Sequence, residues 1–170
     1  MVSVFLGLGS NIEREKHILA GIIDIAEHFQ WLQRSRVYES RAVGFDGSNF
    51  YNLVVEVQTH LSVQQVQQRC KQIEQDHGRS EHSPKYSPRT LDIDLLLYGE
   101  LCHERSPQLP RAEILHNAFV LRPLAEIAPD RVHPICGESY QQLWQAYQQQ
   151  HQANHEQWLQ PLSEERWLPF

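Results

Sequence analysis

Two hydrophobic periods run through the chain, one of two residues and one of three to four, and together they predict its elements. Along residues 91–97 the odd positions are Leu, Ile, Leu and Leu, while Asp92 and Asp94 hold even ones. Period two marks a β-strand. Residues i and i+2 of a strand share a side. Asp92 and Asp94 therefore project together, and Leu91, Ile93, Leu95 and Leu97 face a core on the other side. An apolar, β-rich run over residues 2–8 predicts a first strand. Residues 13–30 carry Ile18, Leu19, Ile22, Ile23, Ile25, Ala26 and Phe29 at spacings of three and four, the mark of an amphipathic helix. Residues 32–39 predict a second strand, and residues 50–59 a third, with Leu53, Val55 and Val57 alternating with Asn52, Val54, Glu56 and Gln58. Ser62 is placed to cap a helix over 63–76, whose apolar positions are Val63, Val66, Cys70 and Ile73. Further helices are predicted near 119–127 and over 139–150.

The order strand–helix–strand–strand–helix–strand predicts an α+β fold with a ferredoxin-like βαββαβ core. This is an antiparallel sheet with helices packed on one face, here followed by a C-terminal helical extension. At 170 residues one domain is expected, with the core in 1–135 and a helix and tail in 136–170. Residues 141–160 include nine glutamines, and the aromatic tail, with Trp158, Trp167, Leu168 and Phe170, is expected to pack back on the domain. Gly7-Leu8-Gly9 completes no dinucleotide fingerprint and reads as a structural turn.

Two neighbouring carboxylates repel, and burying them bare is costly. A cation removes both objections. Asp-x-Asp on a strand suits Mg²⁺, which takes oxygen ligands and leaves room for waters and substrate phosphates. Just upstream, residues 77–89 hold two prolines and a glycine, so they form a loop. That loop carries Arg79, Lys85 and Arg89 against one acid, Glu81, in a chain of formal net charge −6. Acids to hold a metal, beside guanidinium groups to take phosphate oxygens, fit a metal–polyphosphate.

Lys85-x-Ser87-Pro88-Arg89-x-x-Asp92-Ile93-Asp94-Leu95-Leu96 resembles the signature of the hydroxymethyl-dihydropterin pyrophosphokinases of folate biosynthesis. The pattern is long and specific. Ser87 stands where Gly or Ala is expected, and Ser10-Asn11 resembles the family's N-terminal Gly-Ser-Asn. The resemblance implies the same βαββαβ core and transfer of pyrophosphate from ATP to the hydroxymethyl of a dihydropterin, releasing AMP. It implies that Asp92 and Asp94 hold two Mg²⁺ ions, and that Arg79 and Arg89 act with them in catalysis. On the ATP it places Lys71, Glu74, Arg79, Arg89 and Arg111. On the pterin it places Ser40, Val43, Phe50, Asn52, Tyr86 and Phe119.

The chain departs from the family where Pro110-Arg111-Ala112 replaces Pro-His-Tyr, where Asn117 replaces an Arg, and where Glu81 takes an often basic loop position. Arg111 keeps a phosphate donor and Ala112 keeps none. An alternative reading therefore stays open: a catalytically weak paralogue that binds pterin or nucleotide in a regulatory or scaffold role.

The acidic balance, with no Lys/Arg-Gly-aromatic motif, argues against nucleic acid as a partner. No apolar run is long enough to cross a membrane, and no obligate protein partner is implied. Three widely spaced cysteines, an odd number, fit reduced thiols in the cytoplasm.

Overall fold

The structure is a computed structural model that describes residues 1–79, 82, 84, 85, 88–151 and 158–167. Strand β1 (Val2–Ser10) is followed by helix α1 (Arg14–His28), strands β2 (Gln30–Arg34), β3 (Tyr38–Ser40) and β4 (Phe50–Thr59), helix α2 (Val63–Asp76) and strand β5 (Asp92–Tyr98). Helices α3 (Ala118–Ile127) and α4 (Tyr140–Gln150) and the short strand β6 (Leu159–Pro161) complete the chain. The sheet runs in the order β5-β1-β4-β3-β6, with β2 also on β4. Both neighbours of β1 are antiparallel to it. This is the predicted split βαβ arrangement, with α2 capped as expected: the Ser62 hydroxyl accepts from Gln65 N–H, and the Gln65 side chain answers the Ser62 N–H.

The two core helices lie together on one face of the sheet, as expected, and the later helices α3 and α4 cover the other. Ile18, Ile22 and Ile25 of α1 and Val66, Cys70 and Ile73 of α2 pack on Val4, Leu6, Leu53, Val55, Ile93 and Leu95. Leu121 and Leu124 of α3 and Tyr140 and Tyr147 of α4 pack on Phe5, Val54, Leu96 and Leu97 on the opposite face. Leu97 thus leaves the face of Leu91, Ile93 and Leu95. The register slips between Phe5 and Leu6, which pair with Leu97 and Leu95 and leave Leu96 as the extra residue. Such a bulge reverses the parity of everything beyond it.

The predicted second strand is two strands. Fully buried Ser35 interrupts it, accepting from Val54 N–H through its hydroxyl (3.0 Å) while its own N–H donates to the Val54 carbonyl (2.9 Å). The next N–H, of Arg36, turns away to Glu126 of α3 at 2.9 Å. Gly7 and Gly9 form no turn; β1 continues through them to Ser10. Of the tail, Trp167 packs back as expected: it is fully buried and meets Tyr51 edge-on at 5.9 Å, while Leu168 and Phe170 lie outside the described residues. Among the described residues no helix is long and apolar enough to cross a membrane.

Candidate active site

Sheet register places the two aspartates. Asp92 pairs with Gly9 and Asp94 with Gly7, and on the far side Gly9 pairs with Asn52. A glycine opposite each carboxylate leaves the sheet surface bare beside it, where a ligand can approach the backbone closely. A Cβ on Gly9 would lie 3.1 Å from the Asn52 amide oxygen. Asn52 is buried and donates to the equally buried Ser40 hydroxyl at 2.7 Å.

β5 is an edge strand, so the aspartates stand between two cavities. One, of about 570 Å³, runs along the outer edge of β5 against α2 and is lined by Lys71, Glu74, Arg79, Asp92, Asp94 and Arg111 among others. The second, of about 310 Å³, lies over β1 and β4 and is lined by Ser40, Val43, Phe50, Asn52, Phe119 and Arg89 among others. Arg79, Asp92, Asp94 and Arg111 line both. The expected nucleotide residues thus gather in the first cavity, apart from Arg89, and the expected pterin residues in the second. Tyr86 lies outside the described residues, as do Glu81 and Ser87.

Each carboxylate already has a cationic neighbour. Arg79 Nη1 donates both to Glu74 and to Asp92. Arg111 Nη2 lies 3.2 Å from Asp94 and 3.2 Å from Glu113. Glu74 reaches up from α2 to accept the Ile93 N–H at 2.7 Å, which satisfies a donor on the open edge of β5. Burial raises the Glu74 carboxyl above its ordinary range, and Asp92 adds to this, while the Ile93 N–H and Arg79 oppose it. Asp94 is raised as well, first by the protein packed around it and then by the Asp92 charge, with Arg111 opposing. Two acids held reluctant to ionise beside bare sheet surface are the mark of a functional site. Among the described residues no group of three or more His, Cys, Asp or Glu is arranged for a metal. Two carboxylate oxygens nonetheless fit Mg²⁺, a hard cation that keeps sites free for phosphate oxygens and water.

Asn11 is a residue whose role the sequence reading missed. It is buried, its Oδ1 accepts Arg89 N–H at 2.7 Å, and its own N–H donates to the Arg89 carbonyl at 3.0 Å. The chain end of β1 thereby fixes the backbone three residues before Asp92. A polar residue directly after an apolar strand was the available signal. Phe45 was also missed; it packs edge-on against Phe50 at 6.2 Å and lines the smaller cavity.

Paired acids shared by two cavities and faced by guanidinium groups are the arrangement of a phosphotransferase site. The chain belongs to the 7,8-dihydro-6-hydroxymethylpterin-pyrophosphokinase (HPPK) family, whose model matches residues 5–129. It is 38% identical over 138 residues to the 2-amino-4-hydroxy-6-hydroxymethyldihydropteridine pyrophosphokinase of Aquifex aeolicus, covering 79% of this chain and 86% of that protein. The Synechocystis protein of the same name is 37% identical over 142 residues, covering 81% of this chain and 72% of its own length. Among solved structures, Plasmodium falciparum HPPK-DHPS with SDX-DHP superposes on 91% of the chain with a TM-score of 0.69 at 13% identity. HPPK-DHPS in complex with substrates does so over 91% with a TM-score of 0.71, also at 13%. The chain spans less than half the length of these two, 45% and 44%. At that identity the likeness concerns the fold.

Proposed function

We propose that the chain transfers the pyrophosphoryl group of ATP to the hydroxymethyl of 6-hydroxymethyl-7,8-dihydropterin, releasing AMP and the pterin diphosphate of folate synthesis. The observation that carries this reading is the position of Asp92 and Asp94 on the boundary of two cavities, one lined by amide and cationic side chains and one that sets Phe45, Phe50 and Phe119 beside its own arginines. The larger cavity takes ATP, with Lys71 and Glu74 at its α2 wall. The smaller takes the pterin, with Phe50 and Phe119 offering apolar rings and Asn52 an amide to read its edge.

Two Mg²⁺ ions held by Asp92 and Asp94 would supply charge neutralisation on the phosphates and acidify the attacking hydroxyl. The chain's own groups do the rest. The hydroxymethyl oxygen forms a bond to the β-phosphorus, the bond from that phosphorus to the bridging α–β oxygen breaks, and AMP leaves with the electron pair. The hydroxyl proton passes to a carboxylate oxygen of Asp94, directly or through a water. Arg79 and Arg89 neutralise charge on the transferring group and on AMP.

The test is incubation with the pterin, ATP and Mg²⁺, with separation of nucleotides and pterins. AMP and pterin diphosphate are expected in equal amounts. Asp92→Asn and Asp94→Asn are each expected to lower turnover about 10³-fold or more with folding retained. Formation of ADP, or full activity in either variant, would overturn the reading.

A further inference from the structure

We propose that Arg111, together with Arg79, is a resident counter-ion that keeps the Asp92–Asp94 pair from taking a free divalent cation and ties metal entry to nucleotide entry. The inference rests on the reading that these aspartates hold the metal and that the larger cavity holds the polyphosphate.

Left bare, two carboxylates on one strand face, with Glu74 beside them, would attract a divalent cation whether or not nucleotide were present. They are not bare. Arg79 bridges Glu74 and Asp92, and Arg111 Nη2 stands 3.2 Å from Asp94. A metal arriving alone must settle next to two guanidinium groups or displace them. A metal arriving with a polyphosphate meets no such cost, because phosphate oxygens accept the same guanidinium donors in bidentate fashion.

Each arginine also has a second acid to hold as it lets go of the first. Glu74 serves Arg79, and Glu113, at 3.2 Å, serves Arg111. The grip of Arg111 is partial besides. It reaches both acids through Nη2, while its buried Nε meets no acceptor. A fixed structural ion pair would use the fork of donors; this one leaves donors over. The exchange is reciprocal, so nucleotide raises metal affinity and metal raises nucleotide affinity by the same factor.

The experiment measures Mn²⁺ binding to the intact protein by the loss of free Mn²⁺ signal in electron paramagnetic resonance, without and with α,β-methylene-ATP. Arg111→Gln should bind Mn²⁺ about tenfold more tightly than the parent in the absence of nucleotide, the effect of removing one partly buried opposing charge. The nucleotide should raise its Mn²⁺ affinity correspondingly less. Glu113→Gln, which leaves Arg111 wholly to Asp94, should move the nucleotide-free affinity the other way, so the proposal stays testable even if Arg111→Gln folds poorly. Lys16→Gln removes a charge from an exposed pair with Glu13 on α1 and should change nothing. Equal Mn²⁺ affinities in the parent, Arg111→Gln and Glu113→Gln would overturn the counter-ion role, as would an equal shift in Lys16→Gln. No turnover is involved in the readout. A failure here therefore leaves AMP formation standing, and absence of AMP formation leaves the Mn²⁺ result standing.

Discussion

Replacing Asn11 by alanine separates the two ways in which the chain before Asp92 could be held. The side chain makes two hydrogen bonds: Oδ1 accepts Arg89 N–H at 2.7 Å and Nδ2 donates to the Ser48 carbonyl at 3.2 Å. Backbone bonds from Asn11 N–H and Ile12 N–H to the Arg89 carbonyl, at 3.0 and 3.2 Å, survive the change. Each lost bond costs about 1 kcal/mol, and leaving the Arg89 N–H without a protein acceptor brings the total to about 2–3 kcal/mol. For a chain of this size that lowers Tm by about 5–10 °C. The kinetic effect should be larger than the stability effect suggests. Arg89 loses one of the anchors that set its position beside the smaller cavity, and a displacement near an ångström costs about 10- to 100-fold in kcat/KM. Thermal unfolding followed by circular dichroism, and initial rates of AMP formation well below Tm, measure the two parts. Ile25→Ala provides the comparison: it removes fully buried volume from α1, far from Arg89, and costs about 2–5 kcal/mol. The reasoning fails if Asn11→Ala keeps kcat/KM within about twofold of the parent, or if Ile25→Ala loses as much.

Gly9→Ala should raise KM for the pterin several-fold and leave KM for ATP unchanged, because the new methyl crowds Asn52 Oδ1 at 3.1 Å and Phe50 at 3.7 Å; equal changes in both constants would place Gly9 outside the pterin cavity. Acid stability offers a second test, at His17, which meets His77 Nδ1-to-Nδ1 at 2.8 Å while His77 holds Asp24 at 2.7 Å. Burial lowers the proton affinity of His17, the neighbouring His77 and Lys16 lower it further, and Glu13 opposes. A base depressed in the folded state binds its proton more readily unfolded, so its stabilising contribution is full above its ordinary value of 6.5 and is lost as pH falls below it. Urea midpoints taken from pH 7.5 to 5 should therefore fall less steeply in His17→Gln than in the parent, and parallel curves would dismiss His17 as the titrating group.

The local signals in the sequence were faithful, and the non-local ones were mute. Strand 50–59 and helix 63–76 appear at the predicted bounds, because each carries its own period and Ser62 its own cap. Asp92 and Asp94 share a face because two residues of one strand settle that alone. What periodicity cannot report is where a partner strand slips. The bulge at Leu96 moves Leu97 to the other face, and the interruption at Ser35 splits the predicted second strand into β2 and β3. Gly-x-Gly gave no hint that its glycines stand opposite the two aspartates, since that pairing joins residues about 85 positions apart in the chain. One clue was available for the second helical layer. Leu95, Leu96 and Leu97 are consecutive and all buried, and an unbroken apolar run belongs to a strand covered on both faces.

The edge position of β5 explains why the same few residues occupy both cavities. A carboxylate pair in a central strand would be open to one face only, and both substrates would have to reach it from there. At the edge, the smaller cavity approaches over β1 and the larger one approaches past the last strand. An edge also exposes unpaired backbone groups that invite another chain to pair with it. Here two of those groups are taken by the site itself: Glu74 accepts the Ile93 N–H, and the Arg111 N–H donates to the Leu96 carbonyl at 2.9 Å. Glu74 and Arg111 are thus fixed to the strand that carries the aspartates, one through its side chain and the other through its backbone. Arg111 can exchange carboxylate for phosphate with its guanidinium while its backbone stays in register. Glu74 cannot release Ile93 without uncapping the edge, so of the two it is Glu74 whose side chain is fixed, and Arg79 is tied to that fixed carboxylate.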